Sequence, residues 1–300
     1  MKKVFFMFFI WLFVGYHSFA SENSLNMLTY DVDSGQWKME NNKTLTFDEE
    51  KSDKQQNTIE PYSIIGSDDR VKISDTTKLP YRFICSLMAF DKDEIPVSEG
   101  TAWLAGKNIA VTAGHNIYNG KNEIGTIYIM PGENGEKFPY GKIKVTKVHV
   151  PAAFKEFKDQ HPDAMRPMYD FAILELEKPI GAEIGYFGLA TYNATDNGVF
   201  DIYENEYTVS ITGYPGDDKY KDLFYSSMAR ATGKCYFDSS DYRLYYHIDT
   251  TQGESGAPIY YREGSKFYVL GIHLAGKNPN GWNRGRLMTK ALAQLIYSYR

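Results

Sequence analysis

The residues best placed to do chemistry lie in the stretch Asp249-Thr250-Thr251-Gln252-Gly253-Glu254-Ser255-Gly256-Ala257-Pro258. Glycines on either side of Ser255 let the backbone turn sharply and bring its N–H groups close to a bound atom, which suits a nucleophilic serine. A hydroxyl is a weak nucleophile at neutral pH. It needs a base to take its proton and donors to hold the oxyanion that forms. Val111-Thr112-Ala113-Gly114-His115 offers His115 directly after an apolar run, and Tyr169-Asp170-Phe171-Ala172-Ile173-Leu174 places Asp170 at the mouth of another. An imidazole that accepts a proton becomes cationic, and a buried carboxylate fixes its tautomer and stabilises that charge. Taken singly, the three residues have plainer readings as a Gly/Ser turn, a satisfied histidine and a strand-start turn residue. Taken together, they form the set that acyl transfer requires.

Their order narrows the choice. An α/β-hydrolase runs Ser, Asp, His and needs Gly-x-Ser-x-Gly. Here Ser255 is followed by Gly256 and Ala257, and 45 residues remain, with no room for a further Asp and His on later strands. The spacing of His, Cys and acidic residues gives no metal-site pattern, and no Gly-rich phosphate loop or internal repeat is visible.

The elements that must position these residues read as short strands over 81–89, 100–104, 108–112, 124–130, 143–150, 171–176, 207–213, 223–231, 243–248, 258–261 and 267–272. Turns such as Asn119-Gly120, Pro131-Gly132 and Pro215-Gly216 separate them. Many short strands with few helical periods between them predict a barrel or sandwich. Met288, Ala291, Leu292, Leu295, Ile296 and Tyr299 fall at helical spacing, so one amphipathic helix over 287–299 is expected to close the chain.

The 300 residues are 43% hydrophobic and 15% aromatic, ample for a sizeable core. Residues 1–20 read as a secretory signal, with Lys2 and Lys3, an apolar run and then Ser18-Phe19-Ala20. The run is shorter than the ~20 residues needed to span a bilayer, so a secreted protein without a membrane anchor is expected. Residues 21–62 carry nine acids against four lysines and few apolar periods, and are expected not to order themselves. They are either a removable pro-segment or a loose tail, with a boundary near residue 62. The formal net charge is −5 and no basic patch is visible, which speaks against nucleic acid as a partner. The two cysteines, Cys85 and Cys235, fit a disulfide or two buried thiols.

Four motifs in order, Thr112-Ala113-Gly114-His115, Tyr169 to Leu176, Ile211-Thr212-Gly213-Tyr214-Pro215-Gly216-Asp217 and Gly253-Glu254-Ser255-Gly256-Ala257-Pro258, resemble the bacterial glutamyl endopeptidases, the V8-like branch of the chymotrypsin fold. Ser63-Ile64-Ile65-Gly66-Ser67-Asp68-Asp69-Arg70 resembles the mature N-terminus of the Bacillus members. The resemblance covers residues 63–300. It implies two antiparallel six-stranded β-barrels, about 75–190 and 195–285, with the cleft between them. It implies His115 as base, Asp170 as its orienting carboxylate, Ser255 as nucleophile and the N–H groups of Gly253 and Ser255 as oxyanion hole. For cleavage after glutamate it implies a pocket of Thr250, His273 and the new α-amino group of Ser63, with His273 donating one N–H when neutral and adding charge when protonated. It further implies a zymogen-derived monomer that acts on protein or peptide substrates without cofactor or metal. One departure is Asn116 after His115, where several relatives have a cysteine. Two rivals on the same fold are an adhesin or binding protein with weak proteolysis and an exfoliative-toxin-like enzyme of narrow substrate choice.

Overall fold

The computed structural model describes residues 24–46, 64–121, 124–190, 207–221, 226–238, 242–276 and 281–300. The expected signal peptide, residues 21–23 and 47–62 of the expected pro-segment, and Ser63 lie outside the described residues.

The described residues begin with a hairpin of β1 (Ser24–Asp31) and β2 (Gln36–Thr46), followed by a two-residue strand β3 (Val71–Lys72). The first barrel is built from β4 (Ile84–Phe90), β5 (Pro96–Leu104), β6 (Ile109–Thr112), β7 (Thr126–Pro131), β8 (Ile143–Pro151) and β9 (Ala172–Leu176), with α1 (Ala152–Gln160) between the last two. Neighbours pair in the order β8-β7-β4-β5-β6-β9, and β8 pairs β9 to close the ring. After α2 (Ile180–Ile184) and β10 (Gly188–Leu189) come β11 (Tyr207–Gly213), β12 (Ala229–Asp238), β13 (Arg243–Tyr246), β14 (Pro258–Glu263), β15 (Lys266–Ala275) and β16 (Asn283–Leu287). These six run β15-β14-β11-β12-β13-β16, and β15 pairs β16 to close the second ring. Two closed antiparallel six-stranded barrels are thus present, as expected.

Alternation along the strands fills each barrel. Leu87, Leu104, Ile129 and Leu174 are buried in the first, Val209, Ile211, Leu244 and Ile259 in the second. A third cluster, with Trp103, Phe171, Tyr214, Tyr260 and Leu292, spans both barrels and fixes them against each other. The closing helix α3 (Lys290–Tyr297) is capped at its start, where Thr289 Oγ1 accepts the N–H of Leu292 at 3.2 Å. Cys85 and Cys235 are free, buried thiols, and burial pushes both up, Cys235 to about 12.

Three expectations are corrected. Residues 24–46 do not stay unstructured. Asp31 Oδ1 accepts the N–H and hydroxyl of Ser34, both at 2.8 Å, and Gly35 takes φ +66°, so a tight turn aligns β1 with β2. β1 then pairs Met27–Asp31 with Pro151–Lys147 of β8. The polar composition hid a strand pair that completes itself on the barrel. The expected strand over 223–231 lies further on, at Ala229–Asp238. The strand β16 escaped notice because it carries Arg284 and Arg286 at fully buried positions.

Arg286 explains how a charge is tolerated there. Its Nε donates to Met168 O at 2.8 Å and its Nη1 to Leu287 O at 2.8 Å, and its guanidinium lies 5.0 Å from the centre of the Tyr242 ring. It ties the second barrel to the loop that precedes Asp170. Arg286→Met therefore leaves buried carbonyls unpaired at a cost of about 2–3 kcal/mol. We expect the melting temperature of a Ser255→Ala background to fall by about 4–10 °C in calorimetry; an unchanged value would remove this tie from the structure.

Candidate active site

Strands β6 and β9 are neighbours, with Thr112 opposite Ala172. His115 sits in the 3-10 turn Gly114–Asn116 just after β6, and Asp170 lies just before β9, so adjacent strands deliver both to one end of the barrel. Asp170 Oδ1 accepts the backbone N–H of His115 at 2.9 Å, and Oδ2 meets Nδ1 of the same residue at 2.8 Å. Burial alone would push the Asp170 carboxyl up; the charge and hydrogen bonds of His115, with a smaller contribution from Lys158, more than reverse this and hold it below the ordinary carboxylate range. An ionised carboxylate can only accept, so Nδ1 carries a proton, and in the neutral form of the ring Nε2 presents a lone pair.

The loop that holds Ser255 requires its glycines. Gly253 takes φ +91°, and a Cβ there would lie 2.3 Å from Tyr214 O. Gly256 takes φ +89°, and a Cβ there would lie 2.1 Å from Thr101 O. The first barrel grips this loop of the second. The Thr101 N–H donates to Ser255 O at 2.9 Å and its hydroxyl to Gly253 O at 2.9 Å. Asn116, next to His115, donates from Nδ2 to Ser255 O at 2.7 Å and to Thr112 Oγ1 at 2.9 Å. Where several relatives of the resembled family have a cysteine, this chain thus has an amide that links the turn of His115 to the backbone of Ser255. The Ser255 hydroxyl donates to Leu274 O at 3.2 Å.

Behind the loop, Glu254 is 1% exposed. Burial pushes its carboxyl up to about 8, against the N–H of Thr251 at 2.7 Å and Arg70 Nη1 at 3.4 Å, which both favour the ionised form. Arg70 also reaches Asp217 at 2.8 Å and Thr251 Oγ1 at 2.7 Å. Its position follows from Asp249, whose two carboxylate oxygens accept the N–H groups of Ile65 at 2.6 Å and Asp69 at 3.0 Å. Residues 65–70 are therefore strapped across the segment that leads to Ser255.

Beside Asp249, Thr250 is fully buried and its hydroxyl accepts Asn283 Nδ2 at 3.2 Å. His273 is fully buried too, with Nδ1 2.5 Å from the Tyr246 hydroxyl. Burial, then the influence of His115 and Arg284, lower the His273 pKa to about 3, which favours the neutral of its two expected forms. Burial holds Tyr246 well above its ordinary range, so it keeps its proton. That O–H faces Nδ1 and donates to it, which puts the ring proton on Nε2. Nε2 is buried without a hydrogen-bond partner among the described residues, leaving a neutral donor in need of an acceptor.

The structure thus brings together His115, Asp170 and the loop of Gly253 and Ser255, and sets Thr250 near them through Asp249. Ser63 lies outside the described residues. Sequence reasoning missed Thr101, Arg70, Glu254 and Tyr246. The inward alternation of Arg243-Leu244-Tyr245-Tyr246 could have flagged Tyr246 as a buried hydroxyl in need of a partner; nothing local marks the other three.

Comparison with known proteins places these features among relatives. Residues 94–294 match the trypsin family model. The chain is 32% identical over 262 residues to a glutamyl endopeptidase of Bacillus licheniformis, covering 84% of this chain and 74% of the relative. It is 29% identical over 233 residues to a Bacillus subtilis protein named extracellular metalloprotease, covering 77% and 68%. Among the described residues no three His, Cys, Asp or Glu side chains stand together as a metal site would need. A solved Glu endopeptidase in complex with MPD is similar in structure, with TM-score 0.64 and 27% identity over 79% of this chain and 99% of that one. The protease Anisep from Arthrobacter nicotinovorans shares the fold at 15% identity, with TM-score 0.58 over 76% and 98%.

Asn116→Ala should lower kcat/KM for a peptide substrate about 10- to 100-fold, or ~1.4–2.8 kcal/mol of transition-state stabilisation, because the loop of Ser255 loses its link to the turn of His115. Kinetics with a parallel melting curve measure this. Activity within twofold of wild type would show that the amide bridge does not position the site.

Proposed function

Because the chain belongs to the trypsin family of serine peptidases, we propose that it is a secreted endopeptidase, made as a zymogen, that cleaves after glutamate and less readily after aspartate. The Ser255 hydroxyl turns from Leu274 O toward His115 Nε2, which takes its proton as Oγ attacks the scissile carbonyl. The oxyanion is held by the N–H groups of Gly253 and Ser255. As the intermediate collapses, the C–N bond breaks and His115 returns the proton to the departing amine. Water, deprotonated by the same imidazole, then splits the acyl ester and restores Ser255. Asp170 stays ionised and stabilises the imidazolium in both halves. The observation that carries the catalytic reading is the double clamp of Asp170 on His115.

The glutamate preference rests on His273. A carboxylate moved out of water costs several kcal/mol unless donors or opposite charge offset it. The Nε2–H of His273, held in that tautomer by Tyr246, and the Thr250 hydroxyl are such donors, and the guanidinium of Arg284, close enough to depress His273, adds positive charge. The α-amino group at Ser63, freed by cleavage of the preceding segment, would arrive through the strap on Asp249, two residues before Ile65.

Ser255→Ala and His115→Ala should each abolish nearly all turnover with unchanged folding, because nucleophile and base act as a unit and their losses do not add. Turnover by either within tenfold of wild type would end the assignment.

His273→Ala should cost about 2 kcal/mol, roughly 30-fold, in kcat/KM for a glutamyl substrate while sparing the glutaminyl analogue. Since His273 stays neutral well below neutrality, the Glu-over-Gln ratio should not fall as pH rises from about 5 to 8, whereas a protonated ring would lose its charge near pH 6.5. A ratio that drops through that range, or a variant that keeps it, contradicts this pocket.

A further inference from the structure

We propose that the hairpin of β1 and β2 remains a non-covalent subunit of the enzyme, seated on the edge of β8, after the chain is cut between residues 46 and 64. The proposal rests on the reading above that the segment before residue 63 is cleaved from the protease body.

The seat is continuous with the barrel. The first part of β8 pairs β7, through Lys144 and Ile143, and the part from Lys147 to Pro151 pairs β1 instead, while β9 occupies its other side as far as His149. Loss of the hairpin would leave that stretch as an open edge. Met27, Tyr30 and Val32 are buried in the seat, and the Tyr30 hydroxyl donates to Ile124 O at 2.5 Å. Trp37 packs against Tyr30 and edge-on against Tyr118, three residues after His115, with Lys155 over both the Trp37 and Tyr118 rings.

A polar clamp completes the contact. His149 is 3% exposed, with Nδ1 2.7 Å from Glu40 Oε1 and 3.0 Å from Thr29 Oγ1, and Nε2 3.0 Å from Glu175 Oε1. The Tyr299 hydroxyl donates to the same Glu40 oxygen at 2.8 Å, its ring lies 4.2 Å from that of His149, and Lys43 donates to Ser298 O at 2.5 Å. The protease body thus supplies a buried histidine and a tyrosine whose shared acceptor, Glu40, belongs to the hairpin. These contacts lie on β8, α1, Tyr118, Ile124 and the end of α3, and none of them involves residues 249–256.

The clamp also gives the retention a pH dependence. Burial would lower His149, but Glu175 and Glu40 more than reverse this and raise it; Glu40 is lowered despite its own burial, and Glu175 is lowered to about 2, helped by Lys147. The remaining neighbours are Thr29, Tyr299, whose hydroxyl burial holds well above its ordinary range, and Lys43 over the Tyr299 ring. A raised histidine contributes below its ordinary pKa and loses that contribution as pH rises through the raised one. Retention is therefore tighter at pH 6 than at pH 9.

The test uses the full chain carrying Ser255→Ala, with the recognition sequence of an unrelated site-specific protease inserted between residues 50 and 55. After the cut, gel filtration and native mass spectrometry at pH 6 should show both pieces as one complex, and Trp37→Ala or Glu40→Ala should raise the dissociation constant at least tenfold, as should a shift to pH 9. A protease body that elutes free of the hairpin at micromolar concentration and pH 6 would overturn the proposal. N-terminal sequencing of the protease body of the secreted active enzyme, isolated by denaturing electrophoresis so that a retained hairpin is separated from it, tests the cleavage reading separately: a body that itself starts before residue 46 rejects that reading, while the engineered cut still decides retention.

Discussion

A carboxylate that has left water must be given donors, and the Asp170 carboxylate receives them from His115. Because the backbone N–H of the 3-10 turn occupies one oxygen and the imidazole the other, the turn, the ring and the carboxylate have one mutual arrangement. That arrangement exists only if β6 and β9 are neighbours in register, with Thr112 opposite Ala172, which the closure of the first barrel provides. The second barrel is then held to this fixed point by the backbone N–H of Thr101 and the side-chain amide of Asn116. Both donate to the carbonyl of Ser255, so the loop of Ser255 is indexed to the turn of His115 across the interface rather than by its own strand alone.

The same requirement recurs at other buried groups and sets what each can do. Glu254 is offset by Arg70, which comes from the strap after Ile65 and also serves Asp217. This couples the N-terminal part of the protease body to the backbone that would bind an oxyanion. His273 has no carboxylate beside it; a hydroxyl meets one nitrogen and the other is unpaired, so burial keeps the ring neutral and turns it into a directed donor. His149 lies between Glu40 and Glu175, and two carboxylates favour its charged form despite comparable burial. Three histidines of one chain thus differ in environment because their partners differ: a carboxylate on one nitrogen for His115, a hydroxyl for His273 and carboxylates on both for His149.

Much of this was legible in the sequence where the physics is local. Apolar alternation and turn residues located most strands of both barrels, and the order of His115, Asp170 and Ser255 indicated the chemistry before any geometry was known. The glycines at 253 and 256 were likewise readable, since the sharp turn that suits a serine nucleophile is what their φ values realise. What could not be read depends on pairing across long separations. Residues 24–46 are acidic and polar by composition, and they order because β8 offers an edge and His149 a partner for Glu40, more than a hundred positions away. β16 was hidden because buried arginines look like surface until Met168 O and the Tyr242 ring are known to receive one of them. The charge state of His273 was open in the sequence for the same reason: its sequence neighbours say nothing of Tyr246.

Covalent capture tests the central claim most directly, that a serine set by this clamp attacks next to a pocket built for a carboxylate. The enzyme is treated with two peptidyl phosphonates that differ only in carrying a glutamate or a glutamine side chain at the reactive position, and the modified residue is located by peptide mapping. The expected result is a single adduct on Ser255 that forms at least tenfold faster with the glutamate reagent. Equal rates for the two reagents, modification elsewhere, or no adduct on a folded, processed enzyme would contradict it.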